Sequence, residues 1–118
     1  MAIDLTDRIE RLEAYEERCG MRFEALSAFV EATWGRDPSE HGWAVTVSGE
    51  VHATNGERLP RPIRVTAALY DAKGRVAWRF AVDIGSGTFF LLEPFRLEQD
   101  WLPVGDYSRI LVYPVPAS

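Results

Sequence analysis

Between residues 35 and 42 the hydrophobic residues of this chain change their spacing, and that change constrains the fold more than any other feature. Before it they recur in alternating steps of four and three; after it they alternate residue by residue. The break reads "GRDPSEHG". Pro38 pushes Asp37 away from helical geometry, and Gly35 and Gly42 bracket the stretch.

Upstream, Leu5, Ile9, Leu12, Glu16, Cys19, Phe23, Leu26 and Val30 keep the four-three rule, and Tyr15 and Phe29 widen the stripe. This spacing predicts helix over residues 4–34. Asp4 or Thr6 can cap its start, and Asp7 suits the positive end of the helix dipole. Glu10, Glu13, Glu17 and Glu24 fall off the stripe, on a solvated face. Gly20, just after Cys19, offers a C-terminal cap, so the segment is one helix or two. Two arrangements stay open: the segment packs on the rest of the chain, or it pairs with a second copy as a coiled coil. Glu16 on the stripe costs a coiled-coil seam more than it costs a helix edge.

Downstream, "WAVTVSGEVHA" (43–53) puts Trp43, Val45, Val47 and Val51 on one face and Thr46, Ser48, Glu50 and His52 on the other. Asn55-Gly56 and the prolines at 60 and 62 mark a loop. Ile63, Val65, Ala67 and Leu69 form the next apolar face. Asp71 and Gly74 then supply a tight turn into Val76, Trp78, Phe80, Val82 and Ile84. "TFFLLEPFRL" follows "GSG" and is apolar on both faces, as in a strand covered on both sides. "LPVGDY" turns the chain into "YSRILVYPV", the last strand. Short strands with no helical pattern between them argue an antiparallel sandwich or small barrel and against a parallel α/β sheet.

Val47-x-Gly49-Glu50-Val51, Asn55-Gly56 and Leu69-Tyr70-Asp71 followed by Lys73-Gly74-Arg75-Val76 resemble the FxLYD module, an immunoglobulin-like β-sandwich of bacteria and archaea. "LPVGDYSRILVYP" is similar to the closing turn and strand of many bacterial immunoglobulin-like and transthyretin-like modules. The resemblance covers residues 43–115, with Ala67 at the place of the motif's Phe. It implies a sandwich without catalytic residues, in a binding or scaffolding role.

A chain of 118 residues suits one domain with one core. The expected fold is therefore α+β: a helical segment, residues 1–36, packed on or projecting from an antiparallel immunoglobulin-like sandwich, residues 43–118. A net charge of −5 gives no global attraction to nucleic acid or anionic membranes. Cys19 is the single cysteine, so no intrachain disulfide forms. The first twenty residues lack the basic and apolar regions of a secretory signal, and no apolar run reaches the length of a membrane span. The default reading is a cytoplasmic protein.

Residues with chemical potential mostly read as structure. His52 and Glu50 share a strand face and can offer two metal ligands, but no third ligand has a matching spacing, and His41 stands alone. Cys19 lies on the apolar stripe, where it reads as a small buried hydrophobe. Ser48, Ser86 and Ser108 lack a nucleophile-elbow context, and "GSG" (85–87) reads as a turn. Arg58, Arg61, Arg64, Arg75 and Arg79 can gather into a basic patch, though strand arginines more often pair across strands. Trp34, Trp43, Trp78 and Trp101 belong to the core unless one is exposed at an interface. No cofactor or metal follows. The expectation is a non-catalytic interaction or assembly module, its partner a second copy of itself (a dimer) or another protein. Leu5, Ile9, Leu12, Phe23, Leu26, Phe90 and Leu92 are its candidate interface. The alternatives are an apolar-ligand binder with a pocket between helix and sheet, and an enzyme whose carboxylate pair forms only in the fold.

Overall fold

The computed structural model describes residues 2–33, 42–54, 56–87, 89–102 and 106–117. The break at 35–41, Trp34, His41, Asn55 and the 103–105 part of the last turn lie outside the described residues, as does the Trp101 side chain. The strands are β1 (Ala2–Asp4), β2 (Ile9–Arg11), β3 (Met21–Thr33), β4 (Gly42–Ala53), β5 (Ile63–Asp71), β6 (Val76–Ile84), β7 (Leu92–Leu102) and β8 (Tyr107–Pro116). The one α-helix among the described residues is α1 (Glu13–Arg18). One sheet has the order β1-β3-β4-β7 and the other β2-β8-β5-β6. No helix is long and apolar enough to cross a membrane.

The helical segment expected over residues 1–36 is corrected by this arrangement. Among its described residues a 3-10 turn at Thr6–Arg8 and α1 are the only helical parts, and residues 21–33 form a strand of 13 residues. The cause is a bulge. Glu24 pairs with Glu50 and Ser27 with Ser48, so Ala25 and Leu26 together oppose Gly49. One extra residue shifts the alternation by one place. Met21 and Phe23 face the core before it, and Leu26, Ala28 and Val30 after it. A period of two with one insertion thus yields the spacing 19, 23, 26, 30, which imitates a helical stripe. Ala25 carries the insertion at a left-handed φ of 54°. Gly49 makes room opposite: a Cβ there would lie 2.6 Å from Leu26 Cδ2 and 3.2 Å from the Phe95 ring, so both side chains would have to shift. The cap expected after Cys19 is present, with Gly20 at φ 68°.

One flank of the sandwich is closed by the N-terminal segment. β1 pairs with β3 in the first sheet, and β2 pairs in parallel with β8 in the second. The chain crosses between sheets at Leu5, which is fully buried and whose N–H donates to Ala28 O at 2.9 Å. Thr6 Oγ1 accepts from Ala28 N–H at 3.2 Å. Glu16 on α1 then ties the segment together. Its buried carboxylate accepts from Arg11 Nε and Nη2 at 3.1 and 2.6 Å, and from Phe23 N–H at 3.0 Å. This pairing holds the Arg11 guanidinium above its usual pKa. A charged residue on an apolar stripe is tolerated because both carboxylate oxygens accept hydrogen bonds, two of them from a guanidinium.

Between the sheets lies a single core built from Leu5, Phe23, Val45, Val47, Val51, Ile63, Val65, Leu69, Ile110 and Val112, with Phe89 and Phe95. The expected sandwich is present. If the split first strand is A, the remaining strands run B to G, and the sheets are A-B-C-F and A-G-D-E. The immunoglobulin constant arrangement instead groups A, B, E and D against C, F and G. The chain shares two packed sheets with it and differs from it in strand order.

Candidate functional site

Opposite the closed flank, both sheets end in long strands: β7 in the first and β6 in the second. Among the described residues β6 is paired on one side only, with β5. Its inner-face residues Trp78, Phe80, Val82 and Ile84 stand opposite Leu69, Ala67, Val65 and Ile63, all fully buried on β5. Burial along β6 nevertheless fades from Ile84 to Val76. Ile84 is buried, Phe80 and Val82 are half-buried against the core, and Trp78 and Val76 are 41% and 44% exposed. Trp78, Phe80 and Val82 face the core layer but stand toward its lateral limit, whereas the register slip between Trp78 and Val76 sets Val76 opposite Tyr70, on the outer face.

The connection from β6 to β7 exposes a second group of apolar side chains, beyond the Ile84 end of the strand. Phe89 is buried, whereas Phe90, Leu91 and Leu92 are 54%, 49% and 42% exposed. Leu92 N–H donates to Phe90 O at 2.7 Å, and Leu91 between them has φ 64°. That is a γ-turn of the strained, positive-φ kind. Two further bonds fix it: Leu91 N–H donates to Glu57 O at 2.7 Å, and Ala53 N–H to Leu91 O at 3.2 Å. A strained backbone therefore holds three consecutive apolar side chains toward solvent.

The seven candidate interface residues separate. Leu5 and Phe23 are core residues and are withdrawn as surface candidates. Ile9 and Leu26 are partly buried against the core, and Leu12 is half-buried after β2. Phe90 and Leu92 are exposed as an interface requires. Val76 and Trp78 were not among the seven. Alternation reveals which face a residue takes, but not that its strand is the last in the sheet.

The other candidate chemistries are placed as follows. On the open outer face of the first sheet, Glu24 and Glu50 stand directly opposite one another. Each has its own side-chain partner: Arg22 Nε lies 2.8 Å from Glu24, and His52 Nε2 lies 3.0 Å from Glu50. The described residues contain no cluster of three or more metal-ligating side chains. Cys19 is buried, and burial pushes its thiol pKa up, against a smaller opposing effect of Arg61. The cross-strand pairing expected of strand arginines is seen at Arg64, which lies opposite Asp83 and pairs with it at 2.8 Å. Between α1 and β8 lies a cleft of about 450 Å³, lined by Tyr15, Arg18, Cys19, Arg61 and residues 114–116. Arg18 lies over the Tyr15 ring at 5.4 Å. No family model, curated protein or solved structure matches the chain at a significant level.

Proposed function

We propose that this chain is a non-catalytic interaction module that self-associates, as a dimer, through its open flank. One observation carries this reading. Of the seven large hydrophobic residues exposed among those described, five lie on β6 and the connection that follows it: Val76, Trp78, Phe90, Leu91 and Leu92. Scattered single apolar residues need no explanation, but a concentration of them on one flank marks a contact surface. The turn-borne resemblance to the FxLYD module supports the same non-catalytic role, and we propose that kinship with it. A member of that family with the A-B-C-F and A-G-D-E grouping would strengthen the kinship; one with another grouping would remove it. We place the protein in the cytoplasm on its single cysteine, which leaves no intrachain disulfide for an oxidising compartment to form. Sedimentation equilibrium tests the reading. The average mass of the native chain should rise from monomer toward dimer across the micromolar range. A monomer at every concentration contradicts it.

The cleft between α1 and β8 favours a second reading, a binder of small amphipathic anions. Tyr15 and the prolines at 114 and 116 offer apolar walls, and Arg18 and Arg61 offer positive charge. Thermal-shift titration with aliphatic and aromatic carboxylates tests it. A saturable rise in the melting temperature that Arg61→Ala removes supports this reading, and no shift with any of them overturns it.

A further inference from the structure

The two strands of the open flank are protected very differently against edge-to-edge pairing. β7 carries three of the devices that blunt an exposed edge. Pro94 cannot donate a ladder hydrogen bond, Glu93 stands opposite Val51 on the inner face, and the pairing register shifts near Trp43. β6 carries no proline, no lysine and no charge on its inner face. Its register with β5 is regular from Trp78 to Ile84, and its one irregularity lies at its first residue.

We propose that β6 is the self-association edge, and that it pairs antiparallel with β6 of a second copy about a two-fold axis through Ala81. This inference rests on the self-association reading above and specifies its geometry. The charges on β6 select the register. Residues that oppose one another must come from the same face, since a one-residue slip sets the inner face against the outer. With Ala81 opposite Ala81 of the second copy, Arg79 stands opposite Asp83, and the symmetry makes that pair twice. On the inner face Phe80 then meets Val82, and Trp78 meets Ile84. Centring on Arg79 or on Asp83 sets like charges face to face, and centring on Phe80 or Val82 leaves both charges opposite other residues. Arg64 holds the Asp83 carboxylate from the β5 side at 2.8 Å, so Arg79 of the second copy approaches the same carboxylate from the free side and adds a second cation to it; Thr66 and Ala68 carry no charge.

Sedimentation of three variants tests the proposal, with circular dichroism and thermal unfolding as controls of folding. Ala81→Lys places two ammonium groups together at the axis, and should weaken association by about tenfold or more. Arg79→Asp and Asp83→Arg each set like charges opposite one another in a homodimer, and each should weaken association. An equimolar mixture of those two variants restores both pairs, and should recover dimer to within about threefold of the native affinity. If Ala81→Lys does not fold, the mixture decides alone. A dimer that withstands all three variants overturns the edge pairing and leaves self-association standing. Weakened homodimers that the mixture does not rescue overturn the register. A native chain that stays monomeric overturns both the inference and the reading on which it rests.

Discussion

The two flanks of the sandwich solve the problem of a sheet's edge in opposite ways. On the closed flank a single strand is divided between the sheets, with Leu5 buried at the crossing and Glu16 binding Arg11 and the Phe23 backbone. Each sheet there ends in a strand of three residues, too short to template another chain. On the open flank the sheets end in strands of eleven and nine residues. One of those is guarded by Pro94 and Glu93, and the other presents Trp78 and Val76. The contrast teaches that stability and association are assigned to different sides of the molecule. Substitutions on the closed flank should unfold the chain, and substitutions on β6 should separate it from its partner.

The largest expected effect is on the closed flank. Leu5→Ala removes a fully buried side chain where the sheets are joined, and should lower unfolding free energy by about 3 kcal/mol in urea titration. Glu16→Ala comes next, at about 2 to 3 kcal/mol. It strands a buried backbone donor at Phe23 and leaves Arg11, which is partly exposed, without its carboxylate. On the open flank, Trp78→Ser should cost only about 1 kcal/mol of stability, because the ring is already half in water, yet should weaken dimerisation in sedimentation. The paired substitution Glu93→Val with Pro94→Thr removes the guards of β7. Its stability should stay near native, while larger assemblies appear in light scattering.

The smallest effect concerns the hairpin that carries β6. The Asp71 carboxylate accepts from the backbone N–H groups of Arg75 and Lys73 at 3.0 and 2.9 Å, which hold its pKa below the usual carboxylate range. A lowered folded-state pKa adds stability above the unfolded value, and that stability is lost as pH falls through the folded value. Asp71→Asn should therefore melt slightly below native at neutral pH, and the difference should close in strong acid.

Much of the fold could be read from the sequence downstream of the break. The alternation of Trp43–Ala53 gives β4, and Asp71 with Gly74 gives the β5–β6 hairpin. These elements are legible because period, turn chemistry and length agree. Residues 21–33 are not, because the inserted residue at Ala25 turns a spacing of two into steps that fit a helix. The clue was available at Gly49, whose missing side chain makes room for Leu26. At the candidate site, Phe90 and Leu92 were legible from a segment apolar on both faces. Trp78 was not, because pattern specifies the face of a strand and not its position within the sheet. Glu16 was legible as an anomaly on the stripe, but its partner Arg11 lies on a separate strand.

Hydrogen exchange measured residue by residue, at low and at high protein concentration, tests the central claim most directly. Edge pairing should slow exchange of the outward-directed amides within 76–84 as concentration rises, while those of 92–102 exchange at an unchanged rate. Slowing confined to β7, or rates on β6 that do not depend on concentration in a sample shown to be dimeric, would contradict the account.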